Sequence, residues 1–365
     1  MKTPINDMLN KYAEQNAVRL HMPGHKGMLK GFERDITELS FSDNLRNPTA
    51  VIAQSQQLYA DELGARCCMY SVNGSTGGLF ALAANCRGKV LVESNCHVSL
   101  LNGLKLFSKE YTVVENTIHD GIPMPLTLSQ IEGTLSENPD IGTVFLTSPN
   151  YFGINADLEE IYIFLRRKQV LLFVDSAHGA HFGLHPLLPS NAVNFCDAVV
   201  ESCHKTLPAM TQTAVVLTND IDLGKDIKKS LNMVTTTSPS FVLVASIESA
   251  MDYTVTHREQ YTELKKCVDG FVEDVTSHGW KVLSNDDFTR LVIDCSGHGK
   301  GTDVADFLER NNVFVEHYTD RYIVCILTLM DGAIQLDRLL EVLTAYNGSR
   351  SDRLDNYVDM CFEKN

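Results

Sequence analysis

The sequence predicts an α/β fold with a mostly parallel, doubly wound sheet and a second, smaller α+β domain. Between residues 68 and 218, short runs of β-branched and other apolar residues alternate with helix-length amphipathic stretches. Uninterrupted apolar runs of this kind are typical of strands that helices cover on both faces. In such sheets, ligands bind at the carboxyl ends of the strands. The predicted strands are residues 68–72, 90–93, 111–115, 143–147, 170–175, 198–201 and 214–217.

The segments around these strands predict the remaining organisation. Residues 79–85 and 158–168 are amphipathic and predict helices, and residues 239–275 predict one long helical connection. Residues 1–40 are irregular and rich in turn signals, which predicts an arm that packs on the large domain or on a neighbouring subunit. Four later segments predict two strands and two helices, at residues 290–294 and 322–327 and at residues 303–311 and 336–346. We therefore expect an N-terminal arm, a large domain and a small α+β domain, at residues 1–40, 41–250 and 251–365.

The composition is that of an ordinary globular protein. Of the 365 residues, 44% are apolar and 21% charged, and no apolar run approaches the ~18–20 residues that span a bilayer. The chain begins without the charged-then-apolar pattern of an export signal, so we expect a cytoplasmic protein. The ten cysteines include no CxxC pair, which predicts free thiols in a reducing compartment. A net charge of −15 disfavours nucleic acids and anionic membranes as partners.

A glycine- and hydroxyl-rich loop, residues 74–78, directly precedes an apolar run of high helix propensity. Gly74 lets the backbone approach an anion, the hydroxyls of Ser75 and Thr76 add donors, and the helix start adds free N–H groups. The loop lacks the GxxxxGK[ST] pattern, which disfavours a nucleotide P-loop. For this motif alone, a phosphate site and an ordinary helix-capping loop both stay open.

Asp175 ends the apolar run of residues 170–174. A carboxylate at the end of a buried strand costs several kcal/mol unless it is paired. A protonated pyridine nitrogen is a suitable partner, and the pairing would keep such a ring a strong electron sink. An N-cap or a metal ligand are the alternatives, because His178 and His181 follow close by and could complete a metal cluster.

Lys205 follows the predicted strand 198–201 and is flanked by Ser202 and His204. An amine held there is suited to Schiff-base formation, because burial near other cations lowers a lysine pKa. The competing lysine is Lys26, which also follows a histidine but has no strand before it. A phosphate loop, then an acid, then a lysine is the order in which fold-type-I pyridoxal-phosphate (PLP) enzymes present their cofactor site.

His97 follows the predicted strand 90–93. In a fold of this kind, an aromatic ring at that place stacks on the face of the cofactor. An ordinary loop histidine is the alternative interpretation.

Taken together, these segments resemble the Orn/Lys/Arg decarboxylase family of fold-type-I PLP enzymes. The resemblance extends from about residue 21 to residue 343 and so covers most of the chain. The motifs taken together are far more specific for the family than any single motif. The motifs are residues 21–27 (HMPGHKG), 35–38 (DITE), 72–78 (VNGSTGG), 148–153 (SPNYFG), 175–181 (DSAHGAH), 202–208 (SCHKTLP) and 235–240 (TTTSPS).

The resemblance implies roles for individual residues. Lys205 would be the Schiff-base lysine and Asp175 the partner of the pyridine nitrogen, with His97 and Ala177 on opposite faces of the ring. A hydroxyl from residues 235–238 would reach the phosphate of the other subunit, which implies a homodimer with a shared active site. We predict as catalytic residues Lys205, Asp175, His97 and His178. We predict as cofactor-binding residues Gly74, Ser75, Thr76, His97, Asp175, Ala177, Ser202, His204, Lys205 and Thr235.

The function that the resemblance implies is PLP-dependent decarboxylation of lysine, ornithine or arginine, as in polyamine metabolism. Two features depart from the family pattern: Val98 stands where a lysine often follows the histidine, and the chain is expected to be a short form without the C-terminal domain of longer members. Three alternatives stay open. They are an aminotransferase or lyase on the same fold, a PLP-binding relative with little turnover, and a metal-dependent hydrolase that uses His178 and His181.

Overall fold

Helices and strands alternate along the first part of the chain. The computed structural model describes residues 1–346. Up to residue 256 the elements are α1 (Pro4–Glu14), α2 (Val51–Leu63), β1 (Cys67–Ser71), α3 (Gly74–Ala84), β2 (Lys89–Glu93), α4 (Val98–Leu106), β3 (Tyr111–Val114), β4 (Ile118–His119), β5 (Ile122–Pro123), α5 (Leu128–Glu137), β6 (Ile141–Thr147), α6 (Leu158–Lys168), β7 (Leu171–Asp175), β8 (Ala198–Glu201), α7 (Cys203–Thr206), β9 (Ala214–Thr218), α8 (Ile221–Val234) and α9 (Phe241–Thr256).

A seven-stranded sheet forms the centre of this part, in the order β1-β9-β8-β7-β6-β2-β3. The pairs β2·β3, β2·β6, β6·β7 and β7·β8 are parallel, whereas β9 runs antiparallel to both of its neighbours. The α/β class and the mostly parallel sheet are therefore confirmed. The register pairs Thr147 with Asp175 and Asp175 with Val200, so the carboxyl ends of β6, β7 and β8 lie at one edge.

The central strands of the sheet are mostly apolar because the sheet is covered on both faces. Every residue of β7 and of β9 is buried. Side chains alternate between the faces of a strand, and accordingly Leu172 and Val174 belong to one core cluster while Phe173 belongs to the other. Phe173 meets Phe145 of β6 edge-on, with ring centroids 5.9 Å apart. This two-sided burial explains the uninterrupted apolar runs in the sequence.

Gly78 allows α3 to lie directly against the sheet. A Cβ atom at this position would lie 2.5 Å from Cγ2 of Val200 in β8 and 3.0 Å from Cγ2 of Val216 in β9. Real Cβ contacts are not that short, so a larger side chain would push the helix outward. The close approach places the first turn of α3 beside the carboxyl end of β8.

Two compact units divide the chain. The first comprises Met1–Tyr261, Asn285–Asp287 and Thr328–Met330, and the second begins at Thr262. The later elements are α10 (Gln260–Ser277), β10 (Lys281–Val282), β11 (Arg290–Asp294), α11 (Gly301–Arg310), β12 (His317–Tyr318), β13 (Tyr322–Ile326) and α12 (Ala333–Ala345). The four strands of this part form an antiparallel sheet in the order β10-β11-β13-β12. Residues 347–365 of the predicted small domain lie outside the described residues.

The expectation of one long helix over residues 239–275 is wrong. The segment forms two helices, α9 and α10, and the first ends at Thr256. His257 closes α9 through a hydrogen bond from its N–H to the carbonyl of Tyr253. Ser240 begins α9 as an N-cap that accepts a hydrogen bond from the N–H of Leu243.

The arm of residues 1–40 is not wholly irregular, because α1 occupies Pro4–Glu14. Ile5, Leu9 and Tyr12 are buried along one face of this helix, at the spacing of an amphipathic helix. The buried carboxylate of Glu248 in α9 accepts hydrogen bonds from the N–H groups of Ile5 (3.0 Å) and Asn6 (2.8 Å). An anion at a helix start satisfies N–H groups that have no partner within the helix, so this long-range contact fixes α1 where local turn signals predicted none.

Among residues 1–346, the helices are all too short or too polar to cross a bilayer.

Candidate active site

Asp175 lies at the carboxyl edge of the central sheet, as the last residue of β7. Its side chain is 4% exposed, and its Oδ1 accepts a hydrogen bond of 3.0 Å from the N–H of Ala177. Burial raises the pKa of the Asp175 carboxyl, while the charge of Lys205, the Ala177 N–H and the charge of His97 act in the opposite direction. The site therefore contains a buried acid whose charged form depends on nearby cations.

Lys205 lies in α7, the single helical turn that follows β8. Its Nζ atom is 3.1 Å from Nε2 of His178, a buried histidine three residues beyond Asp175. The ring of Tyr151 meets the His178 ring edge-on, with centroids 4.9 Å apart. The fold thus brings together an acid, an amine and an imidazole from the ends of two neighbouring parallel strands.

The predicted phosphate loop forms the first turn of α3, because the helix begins at Gly74. Gly74 has a φ of +64°, a conformation that favours glycine, and its N–H donates to the carbonyl of Gln212 at 2.8 Å. The hydroxyls of Thr76 and Ser99 lie 3.0 Å apart and link this turn to α4. A helix start with small residues offers N–H groups to an anion.

His204 is held beside that turn by the residue next to Gln212. The Nδ1–H of His204 donates to the carbonyl of Thr213 at 2.8 Å. Consecutive carbonyls therefore hold Gly74 and His204, and this leaves Nε2 of His204 as the ring nitrogen for a ligand.

Two buried hydroxyl groups are suited to donate hydrogen bonds to the predicted phosphate. Ser202 is fully buried, and its Oγ has no hydrogen-bond partner within the described residues; Oγ1 of Thr235 is also buried without one. An unsatisfied buried hydroxyl is unfavourable, and phosphate oxygens are strong acceptors. Ser202 lies two residues beyond Val200, against which the start of α3 packs. The residues present therefore fit a bound phosphate group.

Thr235 lies close to the start of α3 in its own chain. The preceding carbonyl, of Val234, accepts a hydrogen bond from Nδ2 of Asn73, the N-cap residue of α3, at 3.4 Å. Arg46 donates to the carbonyl of Thr235 at 3.3 Å. The assignment of Thr235 to the phosphate of a second subunit stays a prediction.

His97 is the N-cap of α4, and its Nδ1 accepts a hydrogen bond of 3.2 Å from the N–H of Ser99. Its side chain is exposed, and its charge acts on Asp175. A ring presented from a helix start beside Asp175 is compatible with stacking on a cofactor, and that role stays a prediction.

Lys26, the competing lysine, and His181, the candidate metal ligand, both lie in surroundings that differ from those of Lys205. The Nζ atom of Lys26 donates to the carbonyl of His21 at 2.6 Å, within the loop that precedes α2. The Nε2–H of His181 donates to Oδ1 of Asp287 at 3.2 Å, while His178 lies against Lys205. Within residues 1–346, no three His, Cys, Asp or Glu side chains are grouped so that they could hold a metal ion.

Several residues of the site were not predicted from the sequence. Tyr151 stands in the motif of residues 148–153, which carried the family resemblance, but nothing in that motif indicates a contact with His178. Gln212 and Asp287 act through long-range contacts, Thr213 contacts His204 from nine positions away, and no local pattern marks any of the three.

The site has the arrangement of a fold-type-I PLP-dependent enzyme: a buried acid at one strand end, a lysine after the next strand and a helix start with small residues. The chain belongs to the Orn/Lys/Arg decarboxylase family, because the family model "Orn/Lys/Arg decarboxylase, major domain" matches residues 3–280. Enzymes of this family use pyridoxal phosphate, and the family resemblance inferred from the motifs is confirmed.

Individual relatives agree with this assignment. The arginine decarboxylase of Bacillus subtilis strain 168 is 31% identical over 380 residues, which cover 94% of this chain and 77% of that protein. Among solved structures, the constitutive lysine decarboxylase of E. coli is similar with a TM-score of 0.79 at 17% identity, over 94% of this chain and 60% of that one. The alanine–glyoxylate aminotransferase of Nostoc sp. has a TM-score of 0.68 at 14% identity, over 83% and 88%. These two structural likenesses show the fold, and the chain spans about 60% of the length of the lysine decarboxylase.

Proposed function

We propose that this protein decarboxylates a basic amino acid with PLP as cofactor, and that arginine is its preferred substrate, before lysine and ornithine. The main support for this reaction is the position of the Lys205 amine, which lies 3.1 Å from His178 and acts on the buried Asp175. The preference for arginine is supported by four relatives named arginine decarboxylases, each 26–31% identical to this chain.

The binding residues have distinct tasks. The first turn of α3, with Gly74 to Thr76, would hold the phosphate together with the hydroxyl of Ser202 and Nε2 of His204. The buried Asp175 would hold a proton on the ring nitrogen, because a carboxylate without such a partner is unfavourable at a buried strand end.

PLP, when bound, supplies the electron sink that takes up the electrons of the broken bond between Cα and the carboxylate. Lys205 would supply the amine that holds the cofactor. Lys205 or His178 then delivers a proton to Cα, since their nitrogen atoms lie within hydrogen-bond distance of each other. Tyr151 packs edge-on against His178 and excludes water from that side of the imidazole.

The proposal extends to the assembly of the protein and to its location in the cell. We propose a homodimer in which the segment around Thr235 contributes to a shared site. A cytosolic location is supported by the nine cysteines of residues 1–346, which are all free.

Carbon dioxide release tests the reaction directly. Purified protein with PLP is incubated separately with arginine, lysine and ornithine, and both carbon dioxide and the amine product are quantified. We expect release from arginine to exceed release from the other two, and Lys205→Ala to abolish it. A keto acid without carbon dioxide would assign transamination instead, and no turnover of any of the three would refute the proposed activity.

A further inference from the structure

Two residues of the first unit, Asn285 and Asp286, bind a loop that lies next to the proposed catalytic amine. The Nδ2 of Asn285 donates to the carbonyl of Phe152 at 2.8 Å, and the N–H of Asp286 donates to the carbonyl of Gly153 at 3.0 Å. Oδ2 of Asp286 accepts a hydrogen bond of 2.8 Å from the N–H of Asn155. The loop held in this way carries Tyr151, whose ring packs against His178.

The next residue, Asp287, binds the turn that carries His178 itself. Its Oδ1 lies 3.2 Å from Nε2 of His181, and the two side chains are 0% and 1% exposed. The turn between Asp175 and His181 is compact, since the N–H of Gly179 donates to the carbonyl of Ser176 at 2.8 Å. A Cβ atom at Gly179 would lie 2.3 Å from Oγ of Ser176, so no larger residue fits at this position of the turn.

The ring of Tyr261 lies against the same pair. Its centroid is 6.4 Å from that of His181, with the ring planes inclined by 30°. Burial, and secondarily the charge of Asp287, raise the pKa of the Tyr261 hydroxyl. The pair is thus enclosed by protein, and His181 has little room to turn away from Asp287.

A buried pair of this kind contributes little net stability, since desolvation offsets most of the attraction, but its hydrogen bond fixes the relative position of the two residues. Here it joins the turn that begins at Asp175 to Asp287, which lies 106 positions beyond His181. Asn285–Asp287 therefore hold both segments that surround the imidazole: the turn that carries His178 and the loop that carries Tyr151.

We propose that Asp287, acting through His181, is a positioning residue that sets the His178 imidazole against the Lys205 amine, and that Asn285 and Asp286 position the Tyr151 ring on its other side. The inference rests on the proposed function in one respect, since it matters for catalysis only if Lys205 is the reactive amine. The geometry of the imidazole itself is independent of turnover.

The first test observes His178 in the cofactor-free protein. Histidine is labelled with ¹⁵N, and the side-chain signals of His178 are assigned by their loss in His178→Gln. The double variant His181→Leu/Asp287→Leu removes the pair without leaving an unpaired buried charge. We expect its His178 ring signals to move toward those of a solvent-exposed histidine. His181→Gln keeps a donor near the position of Nε2, and we expect it to preserve the wild-type signals.

Controls separate positioning from general destabilisation. Asp197 is another buried acid, which accepts a hydrogen bond of 2.8 Å from the N–H of Leu172 and pairs with Arg166 at 3.3 Å. We expect Asp197→Asn to lower stability and leave the His178 signals unchanged. If the double variant does not fold, Asp286→Ala is measured in its place. This substitution removes only the side-chain contact to Asn155, and we expect it to change the ring-current shift that Tyr151 causes in the His178 signals.

Kinetics provide the second readout. In the double variant we expect kcat to fall by about tenfold to a hundredfold, the usual size of losing a residue that orients a functional group. We expect KM to change by less than about threefold, because the substrate is not contacted. Unchanged His178 signals in folded double-variant protein would overturn the proposal, whether or not the wild type releases carbon dioxide. A wild type without turnover, but with the expected change of His178 signals, would refute the proposed function alone.

Discussion

The Nζ atom of Lys205 lies 3.1 Å from Nε2 of His178, although the two residues belong to different strand–turn connections. The contact arises because β7 and β8 are parallel neighbours whose register pairs Asp175 with Val200. Turns that leave the same edge of a sheet meet above it. The amine that we propose to hold the cofactor is thereby placed beside an imidazole.

The acid at the end of β7 is expected to control the cofactor. In Asp175→Asn the side chain keeps its shape but loses its charge, so a protonated ring nitrogen loses its partner. We expect kcat/KM to fall by at least about a hundredfold, since a buried charge-assisted contact is lost, and PLP to bind more weakly. Steady-state kinetics and a PLP titration measure both effects. Activity within about threefold of the wild type would show that Asp175 does not act on the ring.

Ser202→Ala is expected to stabilise the cofactor-free protein and to weaken the binding of PLP. Without cofactor, the variant loses a buried hydroxyl that has no partner among residues 1–346, so the free energy of unfolding should rise by up to about 1 kcal/mol. With cofactor, it loses a hydrogen bond to a phosphate oxygen, so the Kd of PLP should rise about tenfold or more. Urea unfolding and fluorescence titration give the two quantities.

Ser42 offers a matched control for this substitution. It is also fully buried, but its Oγ accepts a hydrogen bond of 2.7 Å from the N–H of Leu39. Ser42→Ala should therefore lower stability by about 1 kcal/mol and leave the Kd of PLP unchanged. If Ser202→Ala behaves like Ser42→Ala, the assignment of Ser202 to the phosphate is wrong.

Gly78→Ala is expected to disturb the packing of α3 on the sheet. The new Cβ would lie 2.5 Å from Cγ2 of Val200, and overpacking of this kind costs about 1–3 kcal/mol. Adding Val200→Ala should recover part of the loss. Gly133 in α5 has no atom within 4 Å of its virtual Cβ, so Gly133→Ala should instead stabilise the protein by about 0.5–1 kcal/mol. Thermal and urea unfolding test all three, and equal effects at both glycines would contradict the close packing.

Glu201 should make stability fall as the pH rises. Burial raises the pKa of this carboxyl from 4.5 to about 8, and Asn191 donates the hydrogen bond that partly offsets it. Below pH 4.5 both the folded and the unfolded form are protonated, so the contribution is fully present there. Between pH 4.5 and about 8 the unfolded form releases a proton that the folded form retains, and the contribution is lost progressively.

Glu201→Gln removes this dependence, since an amide does not titrate. Relative to the wild type, its free energy of unfolding should rise by roughly 3–5 kcal/mol between pH 4.5 and 8. Urea unfolding at several pH values provides the curves, with Glu62→Gln, a partly exposed partner of Arg258, as control. Parallel curves for the wild type and Glu201→Gln would show that Glu201 is ionised in the folded protein.

The sheet could be predicted from the sequence because its determinants are local. Two-sided burial makes each strand an uninterrupted apolar run, and the predicted ends of β7 and β8 differ from the observed ones by at most one residue. The carboxyl ends then identified Asp175 and Lys205. The short hairpin of β4 and β5 was missed, because each strand has only two residues and Ile118 is exposed.

Contacts between distant parts of the chain could not be predicted in this way. Helix α1 is held by Glu248, more than 240 residues away. The pairing of His181 with Asp287 likewise depends on tertiary structure, and the sequence motif favoured neither that contact nor a metal site. Local propensity decides where elements form, whereas such long-range partners emerge only when the chain is folded.

The most direct measurement maps the lysine that carries the cofactor. Protein incubated with PLP is reduced with borohydride, digested, and the labelled peptide is identified by mass spectrometry, with Lys26→Ala and Lys205→Ala treated in parallel. The account predicts label on Lys205 in the wild type and in Lys26→Ala, and none in Lys205→Ala. Label on Lys26, or on no lysine at all, would contradict it.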